Sequence, residues 1–400
     1  MNSAQNEIRY LPPHSSSGIA RWALSGLVAL FLVAVPVHGA SGEAGGSDLS
    51  LFIVSFLFLM GVSQAGVVFC AITRMVRAQW SKPYHRLAEL STMAFFPFAI
   101  LGFLLIYYQA SDDLFYWLSA SADDHLSPWL NLDWLLIRNV SALLLFYGVS
   151  YVYVMKALRP DLEGADGVDH REVEQQLYVM SPVVVLCFVL VSTFFAWDYA
   201  MMIIPHWHST VFPIFFWFGN LFAGTAALIV FPALLGRSAP TGSNFGPAQI
   251  RGLSMMVTAF TLIWLYMFWA QFFVIWFGNL PHEFEPLWRQ MYGHYAPFYW
   301  TMMAGCFFIP FVALIFAVIN RSLVAMCVVS FGVNLGIWIC KYLMVVPALS
   351  PDAGVFNNAL DVGLTLGLLA GFVIVVVVLA KRAPMYSRWE LALAPLPKRR

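Results

Sequence analysis

The sequence predicts an all-α integral membrane protein with ten transmembrane helices. Three observations carry that prediction. The 400 residues contain ten apolar runs, most of them long enough to cross a bilayer at 1.5 Å per helical residue. The chain is 60% hydrophobic and only 10% charged, where a soluble domain carries about 25% charge. Its basic residues also gather on alternate loops, as they do in multi-pass proteins. Aromatic residues make up 16% and mean hydropathy is +0.75, which point the same way. Helices are expected because lipid offers no hydrogen bonds to an open strand edge.

Residues 1–18 are polar, contain Pro12 and Pro13, and read as a cytoplasmic tail. The first apolar run is Trp22 to Val37. Arg9 and Arg21 precede it and small residues follow, which is also the layout of a cleaved signal peptide. Keeping it as a helix satisfies the charge parity described next. Nine runs follow at 49–75, 87–108, 133–157, 178–203, 208–234, 250–278, 296–320, 323–345 and 359–380. Spans 1–4 therefore occupy 19–159 and spans 5–10 occupy 178–380. Between them, 160–177 is charged and Gly-containing and reads as a solvated cytoplasmic connector. Residues 381–400 form a basic cytoplasmic tail.

Charge sets the orientation. Eighteen of the 21 Lys and Arg residues fall on one side; Arg138, Arg289 and Lys341 fall toward the other. That asymmetry places both termini in the cytoplasm. The opposite face carries Asp112, Asp113, Asp123 and Asp124. Spans 2–5 and 6–9 run in matching directions, so they are candidates for repeats about an axis along the membrane normal. Net charge is zero, which gives no electrostatic case for nucleic-acid binding.

A charged residue at a helix centre costs about 2.5–3.5 kcal/mol on insertion scales, so each one in a span is a candidate for function. They are Glu89, Arg138, Asp198, Lys341 and Asp361. Arg138, Lys341 and Asp361 lie near outer span ends, as candidate charge partners or as side chains snorkelling to the interface. Glu89 follows His85 by four residues near the inner end, where an acid also suits a helix N-terminus. Asp198 lies in the outer third of its span. Just beyond it, Pro205 interrupts the helix and His206 and His208 follow. The later stretch 268–286 ends a span with Gln271 and Asn279, then supplies His282, Glu283 and Glu285. By parity both stretches reach the outer face. Their lateral contact is an expectation, and imidazoles beside a buried carboxylate suit proton exchange near neutral pH.

Five cysteines, at 70, 187, 306, 327 and 340, fall in apolar runs and read as small apolar filler. None forms a CxxC or CxxCH pattern, and no histidine lies mid-span where two could ligate a b-type haem. Phe215, Phe216, Trp217 and Phe218 are more ordinary as packing residues than as the wall of a quinone cleft.

At PHWHST (205–210), WAQFFVIWFGNLPHE (269–283) and the aromatic–Arg pair 288–289, the chain resembles a known family. It is similar to the second quinone-binding membrane subunit of bacterial alternative complex III, within the polysulfide-reductase/NrfD type of membrane proteins. The resemblance covers nearly the whole chain in length and span count. Its most specific part is the IW-x-GNLP core at 275–281. Ile204 stands where the family commonly has an acid, and His282 stands where the first of two acids often follows GNLP.

The resemblance implies two four-helix bundles, spans 2–5 and 6–9, with two peripheral helices. It implies a quinol:cytochrome c (or oxidase) oxidoreductase in a bacterial inner membrane. The partners would be a homologous quinone-binding subunit, an iron–sulfur subunit and c-type haem subunits. This subunit would hold no cofactor covalently or through metal, with quinone or quinol its candidate ligand. Catalysis would belong to the complex. A proton path or quinone site is then expected at Asp198, His206, His208, Gln271, Asn279, His282 and Glu283, with an inner half-channel at His85 and Glu89. The alternatives are a membrane anchor of a molybdenum-type reductase exchanging electrons with menaquinone, and a secondary transporter.

Overall fold

A computed structural model describes residues 49–110, 114–118, 128–163, 169–205, 207–234, 247–349, 359–382, 387 and 389–390. The Trp22–Val37 span, the four aspartates of the acidic loop and His206 lie outside these residues. The described chain is all helical, and nine of its helical segments are long and apolar enough to cross a membrane.

The first bundle is built from α1 (Ser50–Met75), α2 (Lys82–Gln109), α3 (Leu132–Glu163) and α4 (His170–Ala196). Its helices pack as the pairs α1–α2, α2–α3, α3–α4 and α1–α4. Next come α5 (Phe212–Leu234), α6 (Pro247–Phe277) and a short helix α7 (Pro281–Met291). One span is broken into α8 (Ala296–Met303), a π turn at Ala304–Phe308 and α9 (Ile309–Ile315). Then follow α10 (Leu323–Leu349) and α11 (Ala359–Arg382). In this second bundle α5 packs on α6 and α10, α8 packs on α10, and α9 packs on α6. The peripheral α11 lies against α1 and α2.

Helix α1 is the hub. It touches α2, α4, α5, α10 and α11, and 94% of its most apolar stretch is buried. An all-apolar circumference is what a helix surrounded by other helices needs. Small residues allow the close approaches. A Cβ added to Gly66 would stand 2.3 Å from the Ala88 carbonyl on α2, and one on Gly305 would stand 2.7 Å from the Gly332 carbonyl on α10.

Four boundaries differ from the sequence reading. Helix α2 begins at Lys82, so His85 and Arg86 are helical and buried rather than loop residues. The supposed connector is largely helical: α3 continues through Pro160 to Glu163 and α4 starts at His170. Asp169 caps α4 by accepting the Arg171 N–H, which supplies the start signal. The supposed tail contributes Trp389 and Glu390 to the core, 2% and 0% exposed. The fourth difference is α7, an amphipathic helix of 11 residues, too short to register as a span.

Candidate functional site

Two buried ion clusters stand at opposite ends of the first bundle. One, at the end that the charge pattern reads as outer, is built on Asp198; the other stands at the end it reads as inner. Helix α4 widens there into a π turn, Trp197–Met201, and such turns recur at functional positions. The Asp198 carboxylate, 1% exposed, accepts four hydrogen bonds. Arg138 gives two, Nε to Oδ2 at 2.9 Å and Nη2 to Oδ1 at 2.6 Å. Asn139 Nδ2 gives a third at 2.7 Å and Trp129 Nε1 a fourth at 3.0 Å. Trp129 also receives Arg138 Nη1 on its carbonyl at 2.7 Å, and its ring lies 4.2 Å from the guanidinium carbon. Arg138 does not snorkel, because a full set of partners makes burial tolerable.

The inner cluster joins all four helices of the bundle and Glu390. Arg74 pairs with Glu174 and, at 2.8 Å, with Glu390; its Nε reaches the Tyr153 hydroxyl at 3.0 Å. His85 Nδ1 lies 2.8 Å from Glu390 Oε2, and its Nε2 lies 3.0 Å from both Thr73 and Ser81 hydroxyls. Arg86 pairs with Glu89 at 2.9 Å and with Asp161 at 2.6 Å. Glu89 is therefore a buried partner of Arg86, eight residues into α2, rather than a first-turn acid. Burial alone would raise the Glu390 carboxyl. The His85 ring and the Arg74 guanidinium outweigh it and hold the group well below the usual carboxylate range.

Between the clusters runs a file of uncharged polar side chains. Thr92 donates to the Ser63 carbonyl at 2.5 Å, Ser63 meets the Tyr147 hydroxyl at 3.1 Å, and Ser192 reaches Gln64 at 3.4 Å. Ser150 and Asn139 are buried with 0% exposure. Along this file Glu89 Oε1, Gln64 Nε2, Ser150 Oγ and Asn139 Oδ1 have no hydrogen-bond partner in the protein. Buried polar atoms in that state are normally met by water.

The second expected stretch takes a different place. Trp207 Nε1 donates to the Glu283 carbonyl at 3.1 Å, and the His208 N–H donates to the Glu283 carboxylate at 3.3 Å. His208 Nδ1 lies 3.2 Å from Glu283 Oε1. The two stretches therefore do meet, across α7, although the His208 side chain is 81% exposed. His282 is the second residue of α7 and its side chain is not among those described. Asn279 has φ 51° and closes α6: its N–H bonds to the Trp276 carbonyl and the Leu280 N–H to the Ile275 carbonyl. Asn is well suited to that left-handed cap, so local backbone geometry accounts for it. Gln271 is buried and faces a cavity of about 30 Å³ beside Trp207, Phe268, Gln290 and Tyr299. That space holds a water molecule or two rather than a quinone ring.

Asp361 is a helix cap. Its carboxylate accepts the Leu51 and Phe52 N–H groups at 2.9 and 2.8 Å, closing the N-terminus of α1 from α11. Lys341 is 2% exposed, has no hydrogen-bond partner in the protein for Nζ, and lies 2.9 Å from the Phe216 ring centroid. Among the described residues no three His, Cys, Asp or Glu side chains gather as a metal-binding group. Sequence reasoning missed Glu390, and it passed over Gln64, Ser63, Tyr147, Asn139 and Ser192. Single polar residues in apolar runs cost too little to stand out, whereas the Trp389–Glu390 pair in a basic tail was a readable signal.

No curated protein matches the chain. The family model described as polysulphide reductase, NrfD, matches residues 48–350, which takes in both bundles up to the end of α10. On that match the chain belongs to the NrfD polysulphide reductase family of membrane proteins.

Proposed function

We propose that the chain is a membrane subunit of a bacterial quinol:cytochrome c (or oxidase) oxidoreductase of the alternative complex III type. It carries no redox centre and provides a proton path through its first bundle. The observation that carries this reading is the buried polar file between Glu89 and Asn139, with four unmatched polar atoms along it. Oxidising a quinol releases two electrons and two protons. The electrons leave through partner subunits, an iron–sulfur protein and c-type haem proteins. The protons need hydroxyl and amide groups with water between them; the file has the hydroxyls and amides, and its unmatched atoms are where water would bind. The basic end then faces the cytoplasm.

Within this reading Glu89 takes and releases protons at the inner end through its free oxygen. Tyr147 and Ser63, whose hydroxyls meet, relay them, with Thr92 lining the same file. Asp198 closes the outer end by organising Arg138, Asn139 and Trp129 rather than as a mobile carrier, because it accepts four hydrogen bonds from them. His208 and Glu283 exchange protons with the outer solution. The test uses the native complex in proteoliposomes with quinol and cytochrome c. Glu89→Gln leaves Arg86 paired with Asp161, so the fold is retained. Glu89→Gln and Tyr147→Phe are expected to lower proton movement per electron while haem reduction continues. Unaltered proton stoichiometry in both variants sinks the path.

The family match suits equally a membrane anchor of a reductase exchanging electrons with menaquinone. Co-purification decides between them: c-type haem subunits support the first assembly and a molybdopterin protein the second.

A further inference from the structure

At the basic end, outside the polar file, a cleft of about 580 Å³ opens between the α1–α2 junction and α4. Its charged or titratable lining is Arg74, Arg77, Lys82, His85, Arg171 and Glu174. Arg74 is neutralised by Glu174 and Glu390. Arg77, Lys82 and Arg171 remain in excess, with no acidic partner recorded among the described residues. Lys82 is the telling one, being 5% exposed yet lining the cleft. Its ammonium opens into the cleft with no acidic side chain beside it, a charge that an entering anion would meet.

Arg77 adds an independent sign. Helix α1 ends with the Ala78 N–H on the Thr73 carbonyl and the Arg77 N–H on the Arg74 carbonyl. That closure puts Arg77 at φ 54°, where glycine is the usual residue. The chain accepts the strain and gains a guanidinium 5.8 Å from the Tyr178 ring, at the lip of the cleft.

The same lip leads onto an apolar stripe. Val179 lines the cleft, and Val179, Val183, Leu186 and Leu190 follow at helical spacing down α4, 66%, 47%, 59% and 41% exposed. Many spans offer lipid such a stripe. This one has an anion-seeking cleft at its head, at the level where the helices end. We infer that the cleft binds the phosphate headgroup of an anionic phospholipid whose acyl chains lie along the α4 stripe. The inference stands whether or not the chain serves quinol oxidation.

The test uses the full chain in detergent, stripped of lipid and examined by native mass spectrometry. Phosphatidylglycerol is expected to be retained at one per chain, and phosphatidylcholine with the same acyl chains about tenfold more weakly. Lys82→Gln and Arg171→Gln should each weaken retention of phosphatidylglycerol about fivefold. Arg77→Gly is the decisive variant, because it removes the charge while relieving the backbone. It should unfold no earlier than wild type and still lose about fivefold in retention. Equal retention of the two lipids, or wild-type retention by Arg77→Gly, overturns the site. Displacement of the lipid by glycerol phosphate at equal concentration overturns the lipid assignment in favour of a free-phosphate site.

Discussion

Four donors meet the Asp198 carboxylate and two of them come from a buried guanidinium, so Asp198 and Arg138 stand or fall together. Removing the charge of one leaves the other buried and unmatched, which costs about 3–5 kcal/mol. Asp198→Asn should therefore lower the unfolding temperature of the detergent-solubilised chain sharply. The apolar pair Asp198→Leu with Arg138→Met should recover most of that loss, since exchanging a whole buried pair is often neutral. Intrinsic tryptophan fluorescence during heating measures both. A double variant no more stable than Asp198→Asn would defeat the pairing argument. Asp198 was legible in the sequence because a carboxylate inside an apolar run is expensive. Its partners were half legible: Arg138 was a candidate, while Asn139 and Trp129 carry no cost that marks them. Lys341 was equally visible, yet its place over Phe216 depends on packing that no spacing rule contains.

Among the elements, α1 and α2 show how a single hydrogen atom decides a packing distance. Gly66 faces the Ala88 carbonyl, with the Ser91 and Thr92 hydroxyls just behind. Gly66→Ala forces these helices apart at the level of the polar file and should cost about 1–3 kcal/mol. Gly148→Ala is the control. It has open space around it and sits in the exposed face of α3, so it should gain about 0.5–1 kcal/mol from helix propensity. Thermal unfolding of the two variants side by side tests this, and equal effects would contradict it. Nine spans were readable from apolar length, to within a few residues at most ends. The exceptions were ends rich in charge: α2 extends back to Lys82 because His85 and Arg86 find buried acids there. Helix α7 escaped because, at 11 residues, it has no membrane length to announce it.

For the molecule as a whole, the chain's last described residues return to its first helix. Glu390 accepts from Arg74 of α1 and meets His85 of α2, while Trp389 Nε1 bonds to the Ala157 carbonyl of α3 at 2.9 Å. This closure is pH-dependent with a definite sign. The folded state holds the Glu390 carboxyl below its ordinary value of about 4.5, so the closure contributes fully above that value. It is lost progressively as pH falls below it. The difference in unfolding temperature between wild type and Glu390→Gln should shrink as pH falls below about 4.5. Parallel curves down to pH 3 would contradict the closure. The sequence alone determined a helical membrane protein, most of its spans and the expense of Asp198, because apolar length and charge act locally along a chain. Only the tertiary structure decided that α1 is the hub, that Glu390 belongs to the inner cluster, and that uncharged residues from four helices form one file. Those facts depend on which faces meet across the bundle, and a weakly polar side chain leaves no mark on hydropathy until its neighbours are known. The two stretches 196–210 and 268–286 lie between these cases. Their common face followed from parity, while their contact through Glu283 came from the turn that lays α7 over Trp207.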